Sequence, residues 1–212
     1  MEINAYAVGR AADVAARNDV VFLTMSTDYV FDGGKDAAYN ERDEALPLSA
    51  YGRSKLEGER LVAASGAAAF VVRTCGVYGQ SHSARGRRAF LDRVLGDAGE
   101  EAVQVVNDVV VSPTFAGHLA VALRRLLESE RYGLYHAANE GAVSWYDFAV
   151  EAARQSASRV KLEPIPAASW KASALRPKYS ALDSGRLHKL SMGLPSWRDG
   201  IAAYLRVRAA KA

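Results

Sequence analysis

The chain has 212 residues, half of them apolar, which supports a sizeable core in one domain or one and a half. Its net charge is +3 with no run of five or more basic residues; that excludes a nucleic-acid tail, while a mildly basic surface suits an anionic small molecule. A single cysteine (Cys75), an acidic start in "MEINAYAVGR", and a longest apolar run, "LVAASGAAAFVV", broken by Ser and Gly, exclude an internal disulfide, a secretory signal and a membrane partner, and predict a cytoplasmic protein.

Apolar spacing at Ala5, Val8, Ala12 and Ala15 or Ala16 predicts a helix over 4–17. "VVFLTM" at 20–25 is a short apolar run of the kind parallel strands show, and it ends in Ser26, Thr27, Asp28 and Tyr29. Strand ends that open onto a crevice are where α/β folds place chemistry. A loop rich in Gly, Asp and Asn leads to about Pro47, and a second helix runs from about Ser49 to Ala64. "FVVRT" at 70–74 and "VQVV" at 103–106 read as further strands. Pro113 and Thr114 open a helix to about Glu130, since proline suits a first helical turn. "LYHAA" at 134–138 is another strand, Ser144 caps a helix starting at Trp145 with Asp147 at capping-box spacing, and a last helix spans about Ser196 to Arg208. The densest basic cluster, "ARGRRAF" at 84–90, reads as a solvated loop and helix start rather than a phosphate-reading patch.

Strands alternating with helices predict an α/β fold, a partial Rossmann-like, doubly wound parallel sheet with a small C-terminal α/β lobe. The glycine-rich turn that cradles a pyrophosphate in dinucleotide folds is missing: Gly9 stands alone in a helical pattern, and Gly33–Gly34 precede a loop.

The sharpest chemical signal is "YGRSK", Tyr51 to Lys55. Positions i and i+4 share a helix face, which brings an ammonium near a phenol. A free phenol titrates near ~10, and a neighbouring positive charge lowers that value, so the pair can serve as a general acid/base. The same spacing alone also describes an exposed helix pair. Thr27, at the end of the preceding strand, offers a hydroxyl to a substrate carbonyl, and Asn4 offers an amide that could order a water near Lys55.

Asn4, Thr27, Tyr51 and Lys55 stand in the chain order of the short-chain dehydrogenase/reductase tetrad. "STDYVFDG", "YNERDEALPLSAYGRSKLEGE", "VVRTCGVYG", "SPTFAGHLA", "GLYHAANEGAVSWYDFA" and "RPKYSALDSGRL" together resemble the dTDP-4-dehydrorhamnose reductase family, from about Ile3 to the C-terminus. The resemblance implies NAD(P)H-dependent reduction of a 4-keto-6-deoxy sugar nucleotide, with NADPH or NADH as cofactor, Mg²⁺ as a further one, and a homodimer. It implies that Thr27 polarises the keto group, that Tyr51 gives the proton, and that Lys55 tunes Tyr51 and holds the nicotinamide ribose. Arg73 and Thr74 would lie beside the nicotinamide, and Asp28, Tyr29, Gly76 and Arg176 on the sugar-nucleotide side. The plainer alternatives are Asp28 as a loop cap, Tyr29 as core, Arg73 as a surface strand end and Arg176 paired with Asp183.

Two departures from the family stand out. Gly76 takes the place of its usual Trp, and a Gly-rich segment with two further βα units ahead of Asn4 is lacking. From the second comes the expectation of a truncated, weakly active or inactive chain, with residues 1–75 and 103–132 in the cofactor-binding part and 76–102 and 133–212 in a substrate-binding lobe. A different nucleotide sugar, or a non-catalytic binding subunit on the same scaffold, are the alternatives. Cys75 reads as a small buried residue.

Overall fold

The computed structural model describes residues 1–80, 90–96, 102–170 and 174–210; of the basic cluster at 84–90, all but Phe90 lies outside the described residues. A π-helical turn, Glu2–Tyr6, leads into α1 (Ala7–Arg17). Strand β1 (Phe22–Thr27) follows, then a 3₁₀ turn over Asp28–Val30, helix α2 (Ala50–Ala64) and strand β2 (Ala69–Thr74). Ser49 caps α2, its hydroxyl accepting from the Gly52 N–H at 3.0 Å. Losing a cap of this kind costs about 1 kcal/mol. Ser49→Ala is therefore expected to lower the urea midpoint by that equivalent, and an unchanged midpoint would remove the cap from the stability of α2.

Beyond β2 come β3 (Val77–Tyr78), α3 (Phe90–Gly96), β4 (Val103–Val106), β5 (Val110–Val111), β6 (Thr114–Phe115) and α4 (Ala116–Leu127). The helix expected to open at Pro113 starts three residues later. Thr114 N–H donates to Gly76 O at 3.2 Å, and Thr114–Phe115 pair in parallel with Val77–Tyr78, which holds them extended. The chain ends with β7 (Gly133–His136), β8 (Val143–Ser144), α5 (Trp145–Gln155), β9 (Leu162–Ile165), α6 (Gly185–Lys189) and α7 (Trp197–Ala209). Ser144 caps α5 on the Asp147 N–H, as its spacing predicts, and Ser196 caps α7 on the Asp199 N–H.

Three strands form the parallel sheet in the order β1-β2-β7, with Ser26, Arg73 and His136 aligned across it. Alternation sends Ala69 and Val71 towards α1 and α2, where they meet Ala12 and Val62. Phe70 and Val72 point to the other face, against Leu119 and Leu126 of α4 and Leu187 of α6. Both faces are thus covered by helices, as parallel sheets require.

The "VQVV" strand lies elsewhere. Val103–Val106 pairs with Leu162–Ile165, and Val105 packs with Val94 of α3 and Ala149 of α5. The segment expected beside the cofactor part therefore lies outside the three-stranded sheet, and a further core gathers Tyr78, Phe115, Phe148, Trp197 and Tyr204. An isolated four-residue apolar run carries no signal for its partner strand.

The outer edge of β7 is closed by side chains: Leu134 O accepts from Arg186 Nη1 at 2.6 Å, and His136 N–H donates to Glu41 Oε1 at 2.9 Å. The His136 ring is fully buried, with Nδ1 3.0 Å from Tyr39 O. Burial, with the Arg73 charge second, pushes its pKa down to about 3. An unfolded histidine titrates near ~6.5 and so takes up its proton first. The stability His136 contributes is complete above that value and lost as pH falls towards 3. The urea midpoint is expected to drop between about pH 7 and pH 4, and His136→Gln to flatten part of that drop. An identical pH dependence in the variant would count against this assignment.

Candidate active site

β1 delivers Thr27 in an extended conformation to the mouth of the sheet, where its hydroxyl organises the turn that follows. Thr27 Oγ1 accepts from Tyr29 N–H at 3.2 Å and donates to Asp28 Oδ1 at 3.1 Å. Asp28 turns inward. Its carboxylate is 4% exposed and also accepts from Ser180 Oγ at 2.6 Å and Cys75 Sγ at 3.1 Å. Burial pushes its pKa up, and the Ser180, Cys75 and Thr27 donors hold it down in part. The sugar-facing role implied for Asp28 does not fit this geometry; Asp28 anchors the turn from within. Burial pushes the Cys75 thiol well above its ordinary range, in keeping with a small buried residue.

Tyr51 and Lys55 sit one turn apart on α2. Two glycines let that helix come close. A Cβ at Gly52 would stand 2.1 Å from Tyr29 O, and one at Gly58 2.3 Å from Asn4 O. Only glycine allows backbone to approach backbone in this way. The Tyr51 ring, 46% exposed, meets Tyr29 edge-on with centroids 6.1 Å apart. Burial pushes the Tyr51 phenol's pKa up, and the Thr27 hydroxyl, acting as hydrogen-bond partner, pulls it down. Lys55, expected to lower the phenol, turns instead to Met25 O, where Nζ donates at 3.1 Å. Its own pKa is lowered by burial and raised by Glu59.

Asn4 reaches the same helix by another route than expected. Its Nδ2 donates to Ser54 Oγ at 3.1 Å, and Ser54 Oγ donates to Tyr51 O at 2.8 Å. The amide is thus joined to the residue before Lys55.

Arg73 is neither beside an open site nor at the surface. It is 4% exposed, its Nε and Nη2 donate to Glu59 Oε1 and Oε2 at 2.9 and 2.6 Å, and its guanidinium lies 5.1 Å from the Phe31 ring centre. Ser26 Oγ donates to the same Glu59. The nicotinamide-facing role implied for Arg73 is therefore corrected: the guanidinium is committed to a buried carboxylate. Thr74 is buried behind the strand end, its Oγ1 without a protein partner among the described residues.

Beyond Tyr29 opens a cavity of about 350 Å³, lined on one side by Trp145, Phe90 and Trp170 and on another by Arg93 and Arg176. Arg176 lines this cavity, and Asp183 Oδ1 caps Gly185 N–H at 2.8 Å. Glu59, Trp145 and Ser180 were not expected at the site. Glu59 follows Lys55 by four residues, a spacing that marks a shared helix face. Ser180 has no local signal, because its contact spans 152 residues of chain.

Residues 1–209 match the RmlD substrate binding domain family. The chain belongs to that family. A dTDP-4-dehydrorhamnose reductase of Aggregatibacter actinomycetemcomitans is 33% identical over 200 residues, covering 88% of this chain and 66% of the relative. The spore coat polysaccharide biosynthesis protein SpsK of Bacillus subtilis is 31% identical, covering 88% and 64%. The chain thus spans about two thirds of the length of these curated relatives. Among solved structures, the dTDP-4-dehydrorhamnose reductase of Bacillus anthracis in complex with NADP superposes with a TM-score of 0.88 at 30% identity, over 96% of this chain and 71% of that one. The Clostridium acetobutylicum reductase gives 0.89 at 33% identity, over 98% and 72%. The RmlD match bears out the α/β, Rossmann-like reading and the sequence resemblance. No helix among the described residues is long and apolar enough to cross a membrane. Nothing supports the implied Mg²⁺: among the described residues no cluster of three or more His, Cys, Asp or Glu could hold a metal ion.

Proposed function

We propose that this chain reduces the 4-keto group of a 4-keto-6-deoxy sugar nucleotide with NAD(P)H, the reaction that its relatives' names denote for dTDP-4-dehydrorhamnose. The observation that carries the reading is the Tyr51 phenol beside the Thr27 hydroxyl at the end of β1, with Lys55 on the next turn of α2 reaching Met25 O of the same strand.

The residues fit a dihydronicotinamide nucleotide. An ammonium has three donors, and Lys55 spends one on Met25 O, leaving two for ribose hydroxyls. When bound, that cofactor supplies the hydride. Tyr51 holds the proton at Oη and gives it to the keto oxygen, as a general acid at the exposed end of its ring. Thr27 has one hydroxyl proton, which Asp28 Oδ1 accepts; a keto oxygen seated against Tyr51 would take that bond in turn. Lys55 reaches β1 at Met25 O from the turn after Tyr51, so its part in this reading is to hold the ribose.

The test is oxidation of NADPH and of NADH by the 212-residue chain, followed by dihydronicotinamide absorbance, with dTDP-4-dehydrorhamnose as substrate. Slow substrate-dependent oxidation, as of a weakly active chain, is expected with at least one cofactor. No rate above the enzyme-free control with either would overturn the reading.

A further inference from the structure

The cavity beyond Tyr29 combines flat aromatic walls with two guanidiniums, which suits a planar base joined to a diphosphate. Within it the position of one ring is set by a missing side chain. Trp145 opens α5, and its indole leans on Phe90, 4.9 Å between ring centres, and on Phe148 at 6.1 Å. Gly76 lies under its tip. A Cβ at residue 76 would stand 3.0 Å from Trp145 Cη2 and 3.4 Å from Cζ2, with Pro113 Cα also at 3.4 Å. The backbone of Gly76 is left-handed, φ +51°, a region other residues enter at a cost. A side chain there would need the indole tip to give by a few tenths of an ångström, while the same indole also packs on Phe90 and Phe148. The space open to a ligand is therefore coupled to the bareness of position 76.

We propose that Trp145 is the specificity-determining wall of this cavity, the surface on which the base of a nucleotide lies, and that Gly76 fixes where that wall stands. The choice of a nucleotide as ligand rests on the reductase reading above. Arg93 and Arg176 hold the diphosphate. Arg93 is itself steadied by Trp170, 5.7 Å from its ring centre.

Calorimetric titration of the chain and its variants with dTDP and with inorganic pyrophosphate separates the two halves of the ligand. Trp145→Leu keeps apolar bulk and removes the aromatic face. It is expected to weaken dTDP about 3- to 10-fold, the worth of one aromatic pairing, while pyrophosphate affinity stays within about twofold. Gly76→Ala is expected to shift dTDP in the same direction and leave pyrophosphate alike. Unchanged dTDP affinity in either variant, a parallel loss of dTDP and pyrophosphate, or no dTDP binding by the unaltered chain would each overturn the proposal. Because these titrations need neither cofactor nor turnover, failure of the reductase reading would appear separately, as dTDP binding without dihydronicotinamide oxidation.

Discussion

Glu59→Ala is expected to destabilise the fold by about 3–5 kcal/mol, the cost of leaving one member of a buried ion pair behind. The Arg73 guanidinium has almost no contact with solvent, so removing the carboxylate leaves a buried charge unpaired. For a chain of this length such a loss lowers Tm by roughly 6–20 °C, readable by circular dichroism. Ser26 would lose its acceptor in the same step. The paired variant Glu59→Leu with Arg73→Met should recover most of the loss, because an apolar pair of similar volume avoids the desolvation of both charges. A shift of Glu59→Ala below about 1 kcal/mol would mean that the pair is not buried as described.

Tyr51→Phe is expected to lower kcat about 10²- to 10⁴-fold with the KM for the sugar nucleotide within about twofold. The variant removes one oxygen at the half-exposed end of a ring whose edge still packs on Tyr29, so the fold should hold. The hydroxyl lost is the one assigned to transfer its proton to the keto oxygen. Retention of more than a tenth of the rate would show that the proton comes from elsewhere.

Much of this site was legible from local spacing. Tyr51 and Lys55 share a face because helical geometry requires it, and Ser144 caps its helix because its hydroxyl accepts from an N–H of the first turn. The parallel sheet followed from short apolar runs between helical periods. What escaped were contacts made at long range. Nothing in "STDYV" says that the Asp28 carboxylate points inward, since the donors that draw it in, Cys75 and Ser180, are 47 and 152 residues away. Arg73 was misread for the same reason: a strand-end arginine has the same local pattern whether it meets a ligand or a buried Glu59. Lys55 was expected to act on Tyr51 from sequence spacing alone, but its long side chain extends to Met25 O on β1. The partner of "VQVV" lay beyond any local rule, because a parallel ladder needs no short connection between its strands.

The approach of α2 through Gly52 and Gly58 has a consequence for how the site would respond to heat. Tyr51 and Lys55 are located by main chain resting on main chain, at Tyr29 O and at Asn4 O. Main-chain contacts have no rotamers to explore, so the backbone of α2 keeps its distance from the strand end while the helix stays docked. Under the reductase reading, the backbone that carries Tyr51 and Lys55 keeps its seat until the helix leaves as a unit.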